Sequence, residues 1–228
     1  MRTSLRITGI FPLVAATALP SFAQEPGGQA PAAAKKEQSL RSLSFAKTPV
    51  GKPPEGWSFA RTGEGEIGTW IVEKDGEDFT LKQVSADDTD SRFPIAVWDG
   101  ETFGDLRLTA RFKAISGKVD QAGGLVFRYR DARNYLICRA NALEDNFRVY
   151  TVIDGKRKTL ASQKVEVAAN EWHTLRVECR GGEVRCTFDG HEPLVVSVEG
   201  FEKGKVGLWT KADSVTAFKD VAVEPLGP

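Results

Sequence analysis

The sequence predicts an all-β protein whose antiparallel strands pack as a sandwich or a barrel. Short segments alternate apolar and polar side chains with period two, as in residues 106–113, where every even position is apolar and every odd position is polar. Two-residue turn signals separate such segments, namely Asp75-Gly76, Asp99-Gly100, Asp154-Gly155, Gly181-Gly182 and Asp189-Gly190. No amphipathic helix is predicted after residue 50, and the lack of an internal repeat disfavours a propeller.

The composition is that of a folded protein with a real core. A chain of 228 residues with 41% hydrophobic residues suits one medium domain, or one domain with appendages. Lys and Arg number 31, as do Asp and Glu, so the basic surface of a general nucleic-acid binder is not expected. Two His and three scattered Cys exclude most transition-metal sites.

The first 23 residues are predicted to be a signal peptide. Arg2 and Arg6 precede an apolar run over residues 7–19 that is too short to span a bilayer, and Ser21-Phe22-Ala23 offers a cleavage site. The mature chain would then begin at Gln24 in the periplasm or outside the cell, with no membrane span. A hydrophobic N-terminal strand or helix and a retained anchor are the alternatives.

Residues 24–46 are predicted to form a flexible linker, followed by the folded domain over residues 47–228. The stretch 24–39 holds no aromatic and no β-branched residue. Such a segment cannot bury enough apolar surface to offset the entropy lost on ordering.

A hairpin across Gly181-Gly182 determines its own register. Pairing Leu175 with Phe188 collects all the apolar side chains of both strands on one face, and a slip of one residue would break that face. Cys179 and Cys186 become diagonal neighbours, too far apart for a comfortable disulfide. A looser loop would instead place them opposite each other, so buried thiols and a disulfide are both open. Cys138 also falls on the apolar phase of its strand.

A second hairpin, with a four-residue turn at 142–145, predicts a polar sheet face. Arg139 is opposite Arg148, Asn141 opposite Asn146, and Ile137 opposite Tyr150. The strand over residues 125–130 is expected to add an arginine from its own polar phase. The predicted ligand-binding residues are Arg128, Arg139, Asn141, Asn146, Arg148 and Tyr150.

Two arginines in apposition are unfavourable unless something negative or oxygen-rich lies near them. Guanidinium groups, amides and a flat aromatic ring suit a polyhydroxyl or carboxylate ligand. The alternative is a solvated face whose arginines pair with Glu144, Asp145 or other acids. A second possible location for the site is the loops that carry Trp209, Lys211 and Asp213.

Other candidate motifs favour structural roles. Residues 73–78 only partly match the carboxylate motif of jelly-roll glucanases, and a turn is the preferred interpretation. Asp87, Asp88 and Asp90 could bind calcium, although an exposed acidic loop is favoured and no other cofactor is expected. His173 falls on an apolar phase and is expected to be packed and neutral.

Several segments, taken in order, resemble a known family of exported bacterial proteins. They are 123–130 (GGLVFRYR), 134–146 (NYLICRANALEDN), 172–177 (WHTLRV), 188–190 (FDG) and 204–210 (GKVGLWT). They are similar to the 3-keto-disaccharide hydrolase domains, also described as 3-keto-glucoside lyases or hydratases. The resemblance implies a two-sheet antiparallel jelly-roll sandwich of the concanavalin A-like type and a carbohydrate or sugar-derived ligand.

The resemblance also implies a possible reaction. A 3-keto sugar has an acidic proton beside the ketone, so elimination of the glycosidic oxygen needs a base and a group that stabilises the enolate. Arg139 or Arg148 could stabilise it, and His173 or a loop carboxylate could be the base. A non-catalytic carbohydrate-binding or adhesion module, or a structural envelope domain, are the alternatives. A monomer is expected.

Overall fold

The computed structural model describes residues 8–9 and 39–227, and these contain strands but no helix. Within these ranges, therefore, nothing helical could cross a membrane. The strands form two antiparallel sheets that pack as a jelly-roll sandwich, which confirms the predicted fold class. The predicted signal peptide, apart from residues 8–9, and residues 24–38 of the predicted linker lie outside the described residues.

Sheet A has the strand order β13-β12-β11-β6-β15-β4-β3, and β1 pairs with β15 beside this path. Its strands are β1 (Arg41–Ser42), β3 (Trp70–Asp75), β4 (Asp78–Gln83), β6 (Leu106–Ser116), β11 (His173–Arg180), β12 (Glu183–Phe188), β13 (Leu194–Ser197) and β15 (Val215–Pro225). The predicted alternation over residues 106–113 is seen in β6, where the even positions are buried.

Sheet B has the order β10-β9-β8-β7-β14-β5-β2. Its strands are β2 (Trp57–Gly63), β5 (Arg92–Trp98), β7 (Ala122–Asp131), β8 (Asn134–Asn141), β9 (Asn146–Ile153), β10 (Lys156–Lys164) and β14 (Lys205–Trp209). The main core lies between the two sheets and includes Phe112 of β6 and Leu136 of β8. Tyr135 and Ile137, the alternate residues of β8, belong to a second buried cluster on the opposite face of sheet B.

The cysteines are buried free thiols. Cys179 pairs with Val184, and Val177 pairs with Cys186, as the predicted register requires. Cys138 of sheet B also faces the main core, and none of the three is in a disulfide. Burial raises the pKa of the Cys179 thiol to about 12, so these thiols act as small apolar groups.

Residues 41–46 belong to the folded domain, which corrects the predicted linker boundary. Arg41 and Ser42 pair with Val223 and Ala222 of β15. Leu43 and Phe45 then enter the main core. These two apolar side chains stand in alternating positions, so both face the core. Burying them stabilises even this short segment against the sheet.

Candidate functional site

Strands β8 and β9 bring five of the six predicted residues together. Arg139 pairs with Arg148, Asn141 with Asn146, and Ile137 with Tyr150, as the sequence predicts. The side chains between them, Cys138, Ala140 and Phe147, lie in the main core. The polar residues therefore occupy the face of sheet B that points away from sheet A.

Glu144, in the turn between these strands, neutralises the opposed arginines. Its Oε2 lies 2.8 Å from Arg139 Nη2 and 3.7 Å from Arg148 Nη1. Asn146 Nδ2 also donates to it at 2.9 Å. Burial alone would raise the pKa of Glu144, but the hydrogen bonds from Asn146 and Arg139 outweigh this and lower it to about 2. An ionised carboxylate thus meets both guanidinium groups across the usual pH range.

Arg139 is held by several partners and is almost wholly buried. Its Nη1 donates to Asn146 Oδ1, and its Nη2 donates to Tyr150 Oη at 3.1 Å. Its buried Nε has no hydrogen-bond partner in the described part of the chain. A buried guanidinium is therefore held in place by three hydrogen bonds, and its Nε–H is left over.

Asp120 and Lys211 extend this site, and sequence reasoning did not identify Asp120. Asn141 Nδ2 donates to Asp120 Oδ1 at 2.8 Å. Lys211 Nζ lies 2.9 Å from Asp120 Oδ2 and 2.6 Å from Asp90 Oδ1. We call Asp120, Arg139, Asn141, Glu144, Asn146 and Lys211 the polar cluster.

Burial has the largest effect on the pKa of Asp120 in this cluster. It raises the pKa of the Asp120 carboxyl, although the hydrogen bond and charge of Lys211 act in the opposite direction. For Lys211, burial would lower the pKa, but the carboxylates of Asp90 and Asp120 outweigh it and raise the pKa. The cluster thus holds a buried carboxylate that is more basic than an ordinary aspartate.

Asp213 holds the loop that presents Asp120. Its carboxylate accepts hydrogen bonds from the backbone N–H groups of Lys118, Val119 and Asp120. Trp209, the last residue of β14, and Lys211 precede it along the chain. The sequence treated this loop and the arginine face as two separate locations, and the fold joins them.

Gly124 makes this junction possible. Backbone pairing places Gly124 between Trp209 of β14 and Arg139 of β8. A Cβ atom at Gly124 would lie 2.9 Å from Arg139 Cβ and from the Cys138 carbonyl oxygen. The missing side chain therefore leaves room for Arg139 beside the neighbouring strand.

Arg128 lies elsewhere, which corrects its predicted position. It has a φ of 48°, and the pairing of β7 with β8 shifts just after Phe127, so the alternation of side chains is interrupted. The buried guanidinium donates to the carbonyl oxygens of Phe201 at 2.6 Å and Gly181 at 2.7 Å. Arg128 therefore ties sheet B to the β11–β12 turn of sheet A.

Sheet B curls around its outer face, and we call this concave face the groove. Thr62 of β2 hydrogen-bonds with Tyr135 of β8, at 2.8 Å between the hydroxyl oxygens, although β5, β14 and β7 lie between these strands. The apolar end of the groove contains the second buried cluster, which includes Ile137, Tyr150 and Trp209. The polar cluster occupies the adjoining end.

Of the remaining candidates, Asp90 contacts Lys211 of the polar cluster, whereas His173 and Asp87 make their hydrogen bonds elsewhere. His173 packs in the core against Phe112, with Nδ1 2.6 Å from Asp189 Oδ2 and Nε2 2.8 Å from the Ala168 carbonyl oxygen. Both ring nitrogens are used, so the suggestion that His173 is a catalytic base is not supported by its position. Asp87 accepts hydrogen bonds from the Glu66 and Thr89 backbone N–H groups. Calcium binding at this loop stays an untested prediction.

The 3-keto-alpha-glucoside-1,2-lyase-like domain family matches residues 50–224. The chain belongs to this family. The lyase-like domain match includes every residue of the polar cluster. No curated protein shows significant sequence similarity to the chain.

Solved structures share the sandwich fold of this lyase-like domain. The carbohydrate-binding module CBM66 from Bacillus subtilis has a TM-score of 0.62 at 20% identity, over 74% of this chain and 95% of the module. A Bacillus subtilis protein with a galectin-like fold has a TM-score of 0.55 at 15% identity, over 74% of this chain and 88% of its own. The exoplasmic/lumenal domain of VIP36, solved with Ca²⁺ and Man3GlcNAc, has a TM-score of 0.55 at 13% identity, over 76% and 84% of the two chains. These neighbours show the jelly-roll fold, and the family match makes the chain a glycoside-related domain.

Proposed function

We propose that this domain binds a glycoside at the polar cluster of the sheet B groove. The observation that carries the proposal is the pairing of a buried carboxylate, Asp120, with a buried guanidinium, Arg139, through the facing amides Asn141 and Asn146. Sugar hydroxyls both donate and accept hydrogen bonds. A cluster that offers charged donors, charged acceptors and amides in one place matches that chemistry.

The family and the structural neighbours support a sugar as the ligand. The family description refers to 3-keto-alpha-glucosides, and the names of two structural neighbours refer to carbohydrate binding or to a bound glycan. A 3-keto-α-glucoside is therefore the first ligand to test. Its ketone oxygen is a hydrogen-bond acceptor, which suits a site rich in arginine donors.

Binding is tested by calorimetric titration with methyl 3-keto-α-glucoside and, in parallel, the unoxidised methyl α-glucoside. Arg139→Ala is expected to weaken binding by about 1.5–3 kcal/mol, the range for hydrogen bonds to charged groups. Arg185→Ala is the matched control, because Arg185 lies on sheet A and pairs only loosely with Glu183 at 4.0 Å. Equal binding by both variants, or no binding by the parent protein, would exclude the proposed site.

Cleavage of the ligand is a second candidate function, and the raised pKa of Asp120 favours it. In this reaction, Asp120 takes the proton from C2 of the 3-keto sugar, and the enolate charge is stabilised by Arg139. The C1–O bond then breaks as the C1–C2 double bond forms. The leaving oxygen takes a proton from Lys211, so the products are an unsaturated 3-keto sugar and a free alcohol.

Cleavage is distinguished from binding by mass spectrometry of the products. An active lyase releases methanol and the unsaturated sugar from methyl 3-keto-α-glucoside, and Asp120→Asn abolishes this release. Binding without any release above that of a protein-free control would leave the domain as a carbohydrate-binding module.

The proposal includes export, for which the predicted signal peptide is the basis. An exported sugar-binding domain would encounter glycosides outside the cytoplasm. N-terminal sequencing of the protein recovered from the periplasm or medium is expected to begin near Gln24. Recovery of a chain that begins at Met1 would exclude cleavage.

A further inference from the structure

Arg157 crosses the sheet B groove from one side to the other. It belongs to the edge strand β10, whereas Phe93 belongs to β5, and strands β9, β8, β7 and β14 lie between them. The guanidinium carbon of Arg157 nevertheless lies 4.8 Å from the centre of the Phe93 ring and 4.7 Å from that of Tyr150. Arg157 therefore covers the aromatic end of the groove.

The contacts that hold Arg157 in this position are weak ones. Its side chain is exposed, and it has no carboxylate within salt-bridge distance among residues 39–227. Arg139 and Arg148, by contrast, both contact Glu144. An exposed cation–π contact is readily broken, so this guanidinium can move off the rings.

Beneath Arg157 lies a surface of flat rings. Phe93 stacks on Trp209, with ring centres 5.6 Å apart and planes 12° apart. The half-buried Phe93 and the buried Tyr150 stand on the two sides of the groove. The faces of such rings attract the C–H face of a sugar ring as well as a cation.

Tyr150 joins this aromatic surface to the polar cluster. Its hydroxyl accepts a hydrogen bond from Arg139 Nη2 at 3.1 Å, while its ring contacts Arg157. A ligand ring on the aromatic surface would therefore be the immediate neighbour of a ring held by Arg139.

We propose that Phe93 and Tyr150, with Trp209 packed behind Phe93, form a second sugar-ring subsite, and that Arg157 is its displaceable cover. This inference rests on the proposed function and adds to it a second ring of the ligand. Binding of that ring displaces the guanidinium from Phe93 and Tyr150. The displaced side chain is then free to donate hydrogen bonds to solvent.

The test compares a one-ring probe, methyl 3-keto-α-glucoside, with a two-ring probe, 3-keto-trehalose, by calorimetric titration. The parent protein is expected to bind the two-ring probe about tenfold more tightly, because the second ring buries an apolar face. Phe93→Ala removes this gain and leaves the affinity for the one-ring probe unchanged. Phe79→Ala is the matched control, because Phe79 also lies under a cation, Lys74, at 5.3 Å, but on sheet A.

The cover itself is tested by Arg157→Ala. Removing a competing cation–π contact is expected to raise the affinity for the two-ring probe about two- to fivefold, without an effect on the one-ring probe. An unchanged or lower affinity for the two-ring probe would contradict the role of Arg157 as a cover. If Phe93→Ala fails to fold, Phe93→Leu keeps the apolar volume without the flat face and is expected to lose the same gain.

The outcomes separate the two proposals. If the one-ring probe binds in an Arg139-dependent way and the two-ring probe binds no tighter, the subsite is excluded and the proposed function stands. If neither probe binds, the proposed function fails, and the subsite fails with it.

Discussion

Arg139 and Arg148 lie directly opposite each other on β8 and β9, and the carboxylate of Glu144 lies against both guanidinium groups. Like charges in facing positions of a sheet repel each other, so this pair depends on the turn that connects the two strands. The segment 139–148 thus contains both the two arginines that repel each other and the carboxylate that neutralises them. One carboxylate offsets two cations here, which leaves the half-buried Arg148 with spare capacity for an oxygen ligand.

The low pKa of Glu144 predicts that acid destabilises the domain through this residue. Because its pKa is about 2 in the folded chain and 4.5 in an unstructured peptide, its contribution to stability is present above about pH 4.5 and is lost as the pH falls towards 2. The side chain is 40% exposed, so the effect is expected to be only roughly 0.5–1 kcal/mol after solvent screening. Urea unfolding at pH 7 and pH 3 measures it.

Glu144→Gln is expected to lower stability at pH 7 and to flatten the fall towards pH 3. Glu73→Gln is the control, because Glu73 pairs with Lys82 at 3.0 Å on sheet A, away from the groove. If Glu144→Gln loses as much stability on acidification as the parent protein, another carboxylate is responsible.

Gly124→Ala is predicted to disturb the polar cluster through the backbone. The added Cβ would lie 2.9 Å from Arg139 Cβ and from the Cys138 carbonyl oxygen, so β7 and β8 must move apart. Such overpacking is expected to lower the free energy of unfolding by about 1–3 kcal/mol and to weaken sugar binding as Arg139 shifts. Gly104→Ala is the control, since its Cβ would meet its nearest neighbour at 3.4 Å, an ordinary contact. Equal stability and binding for the two variants would show that Arg139 tolerates a larger neighbour.

The N-terminal boundary of the domain can be tested by truncation. A chain that begins at Ser39 is expected to unfold like the full mature chain, whereas one that begins at Lys47 loses Leu43 and Phe45 from the core. Loss of a buried Phe alone is expected to lower stability by about 3–5 kcal/mol. A chain that begins at Leu43 keeps both side chains and loses only the two-residue strand β1, so its melting temperature should fall by only a few degrees. Equal melting temperatures for the Ser39 and Lys47 chains would restore the linker boundary at residue 46.

Arg128 is predicted to matter for stability and not for direct ligand contact. Arg128→Ala leaves the carbonyl oxygens of Phe201 and Gly181 without their buried donor, and the expected loss is about 3 kcal/mol in urea unfolding. Arg128→Lys restores the charge without the planar fork and should recover only part of it. At a temperature where both are folded, the Lys variant should bind sugar like the parent protein. Weak sugar binding by a stably folded Arg128→Lys variant would show that Arg128 does belong to the ligand site.

The sequence by itself determined the fold class and the local pairings of this protein. Period-two alternation and two-residue turns depend only on neighbouring residues, so the hairpins at 181–182 and 142–145 could be aligned from the chain alone. Those alignments placed Arg139, Arg148 and Tyr150 on one face. They also assigned the cysteines to the core.

Tertiary structure decided what lies next to that face. The bulge after Phe127 shifts the phase of β7 and removes Arg128, and no local pattern marks such a bulge. Asp120 and Lys211 meet only because β7 and β14 are neighbours in the sheet, and Arg157 reaches Phe93 only because sheet B curls. These contacts depend on strand order and sheet curvature, which arise from packing over long sequence separations and are not encoded in the period of any single strand.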